Sequence, residues 1–249
     1  MSAQTKETLL ILCDISGYTR FMLTNWEAEA HAHTIVFDLI RSAVEAAKPP
    51  LEVTKLEGDA VFLYALVEGT RERRDKICRE ALTGLDAMFR AYDAKLRELA
   101  RGNLCPCGAC MHIERLRLKA VVHSGSAVFD RIGRFDELSG PDVILVHRLL
   151  KNSIERDSYI LLTDAAAIEA AACYPAVGET VTESYDGIGQ VNGAIFMPPL
   201  LGETAEPSHD ASNRIPSFAS RASRLLSLSA RSILMRLRIM RSPVYTNMP

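Results

Sequence analysis

From residue 8 to residue 196, strand-like and helix-like stretches alternate in the order βαββαβ and continue with further αβ elements, and this order restricts the fold more than any other feature of the chain. Residues 8–13 are a short β run. From about residue 25 to residue 47, Ile35, Phe37, Leu39, Ile40 and Val44 recur at near-helical spacing, and Lys48-Pro49-Pro50 ends the helix because proline lacks the amide it needs. Residues 51–66 read as two strands joined at Glu57-Gly58-Asp59. Residues 71–101 place Ile77, Ala81, Leu85, Met88, Phe89, Tyr92 and Leu96 on one helical stripe, closed by Gly102-Asn103. Strand patterns then cover 116–128, 159–163, 180–185 and 190–196, with helical patterns at 143–152 and 165–172. The order predicts an α+β sandwich in which helices cover one face of a mostly antiparallel sheet.

Composition narrows the function classes. With 48% hydrophobic and 24% charged residues the 249-residue chain is ordinary globular protein. Its apolar runs, such as residues 9–13, fall well short of the roughly 18 residues a membrane helix needs, and the N-terminus lacks the long apolar region of a signal peptide. A cytoplasmic location is therefore expected, and six cysteines are too few for a disulfide scaffold. The stretch 198–216 is rich in Pro, Gly, Ser, Asp and Asn without periodicity. We expect a domain over residues 1–200, a flexible linker at 201–216 and a basic, partly helical tail at 217–249.

Two acids lie where a strand meets a turn. Asp14 ends the apolar run and opens D-I-S-G-Y-T, and Asp59 lies in the bend of K-L-E-G-D. If the two strands are neighbours, both carboxylates converge on one divalent cation such as Mg²⁺, and the amides of Gly17, Tyr18 and Thr19 lie near enough to hold phosphate. The alternative is that Asp14 caps a helix and Asp59 shapes a turn.

These residues carry a resemblance. Asp14 to Thr19 resembles the D-I-x-G-F-T signature of class III adenylyl and guanylyl cyclases, and K-L-E-G-D at 55–59 resembles their K-x-x-G-D hairpin. Further on, L-R-L-K-A-V-V-H-S-G-S-A-V at 116–128 is similar to the family's strand ending in H-x-G. The stretch L-S-G-P-D-V-I-L-V-H-R-L at 138–149 is similar to its G-x-x-V-N-x-A-x-R-L helix, and S-Y-D-G-I-G-Q-V-N-G-A-I-F to its closing hairpin. The match covers residues 8–197 and looks most like a bacterial, DUF2652-like branch of cyclase-like proteins.

The resemblance implies a ferredoxin-like βαββαβ core of the class III nucleotide cyclase type that converts ATP to cyclic AMP and pyrophosphate. It implies metal (Mg²⁺ or Mn²⁺) at Asp14, Asp59 and the carbonyl of Ile15, and base recognition by Lys55 and Glu137, a pair that favours ATP. It also implies phosphate stabilisation by Arg148 and a homodimer; the apolar helix faces around Phe37 and residues 143–149 are either its contacts or simply core. The sequence departs from the family at Ile144, where an asparagine positions the ribose, and at Asp186 and Ile188, where lysines bind phosphate. Asn152, one turn beyond Arg148, and Lys151, one turn beyond His147, offer compensation. The alternative is a catalytically silent, cyclase-like nucleotide- or metal-binding sensor or scaffold.

Cys105, Cys107, Cys110 and His112 bring three thiols and an imidazole into eight residues, a set suited to Zn²⁺; reactive thiols or an inert loop are the alternatives. Cys13, Cys78 and Cys173 lie in apolar patterns and are expected to be buried. His31 and His33, two apart, fall on different helix faces and are expected at the surface, while His123 and His147 either line the pocket or pack. Seven of the 29 Lys and Arg lie between Arg214 and Arg241, leaving the first 200 residues net acidic. In the tail, Leu226, Ala230, Ile233, Leu237 and Met240 form a stripe opposite Arg224, Arg231 and Arg238. This suits peripheral attachment to an anionic membrane or an acidic partner, or folding against the chain's own acidic domain. Nucleic acid is not expected, because aromatic residues for base stacking are nearly missing from the tail.

Overall fold

Leu9, Leu10, Ile11, Leu12 and Cys13 are all fully buried, which a strand achieves only when both its faces are covered, since successive side chains point to opposite sides. They are the centre of β1 (Gln4–Ser16) in the computed structural model, which describes residues 3–102, 105–171 and 178–198. After β1 come α1 (Tyr18–Thr24) and α2 (Glu29–Ala46), then the hairpin of β2 (Glu52–Glu57) and β3 (Ala60–Leu66). The long α3 (Arg71–Arg101) follows, then the short α4 (Gly108–Met111) and the hairpin of β4 (Arg117–Ile132) and β5 (Phe135–Ser139). The remainder is α5 (Pro141–Leu149), β6 (Ile160–Thr163), α6 (Asp164–Glu169), β7 (Glu179–Tyr185) and β8 (Gly189–Phe196).

The strands form one sheet in the order β2-β3-β1-β4-β6-β8-β7, with β5 paired to β4. Every pairing is antiparallel except β4 with β6. The expected α+β class holds, and the element order matches the sequence pattern with the short helices α1 and α4 and one strand added: β5 was not anticipated, because its residues alternate weakly and four of the five are not buried.

One expectation needs correcting. Helices cover both faces, not one. Leu9, Ile11 and Cys13 pack with Ile35 and Leu39 of α2 and Leu82 and Leu85 of α3, whereas Leu10 and Leu12 pack with Phe62, Val143 and Val146, putting α5 on the opposite side. The consecutive apolar residues of β1 are the sequence trace of this two-sided burial.

Local chemistry explains the ends of α3. The Thr70 side chain accepts a hydrogen bond from the Arg73 amide at 3.4 Å, and Arg101 in the last turn complements the helix dipole. Arg74 of α3 holds Glu169 of α6 through two 2.8 Å bonds, in the paired geometry a guanidinium gives a carboxylate. Cys13 and Cys78 are fully buried, as expected. Cys173, the linker and the tail lie outside the described residues. Among the described residues no helix is long and apolar enough to cross a membrane.

Candidate functional site

The pairing of β1 with β3 decides where the two aspartates go. Cys13 faces Val61 across the ladder, so Asp14 at the end of β1 comes beside Asp59 in the turn that precedes β3. The carboxyls touch: Asp59 is hydrogen-bonded to Asp14 and also accepts from its own amide and from the amide of Ile15. Partial burial, with the Asp14 charge next, pushes the Asp59 carboxyl up to about 7. Two carboxyls sharing one proton are a donor set that a divalent cation fits, because its charge relieves the repulsion between them. On the other side of Asp14, Lys119 of β4 lies opposite it in register, with Nζ 3.2 Å from Oδ2. The sequence reading passed over Lys119, although its place in the strand before His123 was visible.

Gly17 follows at φ 83°, a left-handed conformation that side chains rarely adopt, and an added Cβ would lie 3.2 Å from the Arg115 carbonyl. The turn carries the chain from β1 into α1, so Gly17, Tyr18 and Thr19 lie immediately beyond the aspartate.

Lys55 and Glu137, 82 positions apart, meet because β5 folds back beside β2. Lys55 Nζ is 3.4 Å from Glu137 and 3.2 Å from Glu57. These carboxylates, Glu57 foremost, hold the exposed Lys55 ammonium above its usual range. His147 joins the cluster, with Nε2 3.2 Å from Glu57, Nδ1 donating to the Val143 carbonyl at 2.8 Å, and its ring edge-on to Phe62.

On α5, Arg148 is exposed, and so is Ile144 one turn before it. Asn152 is engaged elsewhere. Its Nδ2 donates to the Leu149 carbonyl and to the Tyr159 hydroxyl, both at 2.7 Å, and its Oδ1 accepts from the Ile154 amide at 3.0 Å. These bonds commit the amide to the end of α5 and to Tyr159 rather than leaving it beside Arg148.

A buried polar chain fixes the other end of α5. His123 of β4 has Nδ1 2.8 Å from the Thr163 hydroxyl and Nε2 3.3 Å from Asp142, and Asp142 accepts from the Ser126 amide at 2.7 Å. Burial lowers the His123 pKa, with Asp142 acting in the opposite sense, so the ring is a neutral strut between β4, α5 and the end of β6. Gly125 makes the contact possible, since a Cβ there would sit 2.4 Å from Asp142. Asp142 and Thr163 were not among the expected residues. The H-x-G spacing was the only signal pointing to them.

The cysteine loop brings a second correction. Cys105, Cys107 and Cys110 do come together, but the imidazole among them is His31 of α2, not His112. His112 is turned outward and bonds the Gly108 carbonyl at 2.8 Å. His31, expected at the surface, is buried, while His33 two residues on is half-buried and pairs with Glu29 at 3.7 Å. This donor set, three sulfurs and a nitrogen within 4.8 Å of one another, could hold a metal ion such as zinc.

Comparison with known proteins agrees with this architecture. The profile of a family described as a protein of unknown function (DUF2652) matches residues 36–159. An uncharacterized protein of Mycobacterium tuberculosis is 30% identical over 169 residues, covering 66% of this chain and 76% of that protein. Among solved structures, the guanylyl cyclase Cya2 is similar with a TM-score of 0.60 at 13% identity, over 85% of this chain and 99% of that one. The adenylyl cyclase CyaB of Pseudomonas aeruginosa gives 0.56 at 17% identity, over 81% and 100%. A class III adenylyl cyclase-like ATP-binding protein from Pseudomonas aeruginosa gives 0.50 at 17% identity, over 67% and 35%. At these identities the structural likeness speaks for the fold alone, which is that of class III cyclase domains, and the sequence relationship speaks for the family: this chain belongs to the DUF2652 family.

Proposed function

We propose that this protein binds ATP with Mg²⁺ or Mn²⁺ and converts it to cyclic AMP and pyrophosphate as a homodimer. The observation that carries this reading is the contact between the Asp14 and Asp59 carboxyls at the end of β1, where burial and charge raise the Asp59 pKa. A divalent cation bound there would lower the pKa of the ribose 3′-hydroxyl and neutralise the triphosphate. In the reaction the 3′-oxygen bonds to the α-phosphorus, the bond to the bridging oxygen of the β-phosphate breaks, and the hydroxyl proton leaves with solvent.

Lys55 and Glu137, 3.4 Å apart, offer a donor next to an acceptor. That order complements the edge of adenine, which presents a ring-nitrogen acceptor beside an amino donor, and so favours ATP. Arg148, exposed on α5, supplies a guanidinium to phosphate oxygens of a nucleotide bound at the second copy of the chain. The turn at Gly17, Tyr18 and Thr19 carries the phosphates beyond Asp14.

A second reading, a nucleotide-binding module without turnover, is favoured by Ile144 and by the engaged amide of Asn152. Loss of one transition-state donor typically slows catalysis on the order of a hundredfold. The solved protein described as adenylyl cyclase-like and ATP-binding is a precedent for binding on this fold.

The test is product formation from ATP and from GTP with Mn²⁺, beside direct ATP binding, using wild type and Asp14→Ala. Cyclic product that Asp14→Ala abolishes supports the cyclase. Metal-dependent binding without product supports the silent module, and neither binding nor product overturns both.

A further inference from the structure

We propose that His31, Cys105, Cys107 and Cys110 bind one zinc ion as a closed structural site that clamps the loop between α3 and β4 onto α2. His31 Nδ1 lies 3.4 Å from Cys107 Sγ, 3.5 Å from Cys105 Sγ and 3.8 Å from Cys110 Sγ. Tetrahedral zinc, with bonds of about 2.3 Å to sulfur and about 2.0 Å to nitrogen, separates the nitrogen from each sulfur by about 3.5 Å.

Hydrogen bonding alone does not account for the arrangement. A ring nitrogen either donates one hydrogen or accepts through one lone pair, yet three sulfurs crowd this one. His31 Nε2 is buried without a hydrogen-bond partner among the described residues.

Four protein ligands leave no open position for water or substrate, which marks the site as structural rather than catalytic. The placement gives the clamp something to hold. A Cβ at Gly108 would lie 2.5 Å from the Asn25 side chain, which itself bonds the Phe21 carbonyl of α1 at 2.7 Å. Further along the same loop, the Arg115 carbonyl backs Gly17. Zinc would therefore brace the far side of the turn that follows Asp14. The site itself stands whether or not the aspartates turn over a nucleotide.

The experiment is the zinc content of the full-length protein purified under reducing conditions and reloaded with Zn²⁺, for wild type, His31→Gln, Cys107→Ser and His112→Gln. One zinc per chain is expected in wild type and in His112→Gln, with loss of stoichiometric zinc in the other two and a lowered melting temperature on chelation. If His31→Gln or Cys107→Ser fails to fold, X-ray absorption at the zinc edge of the wild type still decides, with three sulfurs and one nitrogen expected. No zinc after reloading, a disulfide among the three cysteines in its place, a site lost in His112→Gln but kept in His31→Gln, or a water in the coordination shell would each overturn the proposal.

Discussion

Asparagine at position 59 has the shape of a protonated aspartic acid, so Asp59→Asn isolates the energetic cost of keeping two carboxylates together. In the folded chain the Asp59 carboxyl is raised from 3.8 to about 7. At 1.36 kcal/mol per pKa unit this amounts to about 4 kcal/mol between its charged and neutral forms. Because the group is only partly buried, solvent screening reduces the figure to about 2 kcal/mol. The sign follows from linkage: the folded state keeps a proton that the unfolded chain releases, so this group favours folding most below about pH 4. That contribution declines as pH rises and is lost above about pH 7. The variant's side-chain oxygen still accepts from the Ile15 amide, and its amide donates to Asp14 as the shared proton did. Asp59→Asn is therefore expected to be more stable than wild type by about 2 kcal/mol at pH 8, with a smaller gain at pH 5. Urea unfolding at the two pH values, with chelator present, measures the difference. Added Mn²⁺ should raise the wild-type midpoint and leave the variant's unchanged. A variant that is no more stable than wild type at pH 8, or a gain independent of pH, would refute the reasoning from the carboxyl pair.

Gly125→Ala drives a methyl group into Asp142 and should cost about 1–3 kcal/mol in urea unfolding, by pushing α5 off β4. His123→Ala removes the strut between Thr163 and Asp142, and a loss of about 2–4 kcal/mol is expected at pH 8. Since burial lowers the His123 pKa, its neutral-ring stabilisation is present above the unfolded value of about 6.5 and lost as pH falls through the folded one, so the cost of the variant should shrink in acid. Glu137→Gln should change stability by less than about 0.5 kcal/mol, because its pairing with Lys55 is exposed. It should also lower the preference for ATP over GTP by at least about tenfold; unchanged preference in a competition binding assay would remove Glu137 from base recognition.

Much of this protein was legible one segment at a time. The proline pair at 49 and 50, the stripe from Ala81 to Leu96 and the turn at Gly58 act over a few residues, so the order of elements follows from local propensity and periodicity. The same holds for the two aspartates as strand-end residues. The contact between them needed the β1–β3 register, because a ladder shifted by one residue turns every side chain to the other face. Strand β5 was illegible, since Phe135–Ser139 is mostly unburied and carries no alternating pattern, and yet it delivers Glu137 to Lys55.

What only the tertiary structure decided is which distant groups share a neighbourhood. Residues close in sequence invite assignment to one site, and His112 invites it to the cysteines, but a loop of eight residues turns that ring outward. The packing of α2 against α3 brings His31 across 74 positions to Cys105 instead. Asn152 lies one turn from Arg148 along the chain, yet helix α5 ends between them and the amide closes that end against Tyr159. The sequence by itself determined the longer elements, because hydrogen bonding and side-chain periodicity act along the backbone. Their assignment to faces and sites was decided by burial across the sheet, an interaction between segments that no local pattern encodes.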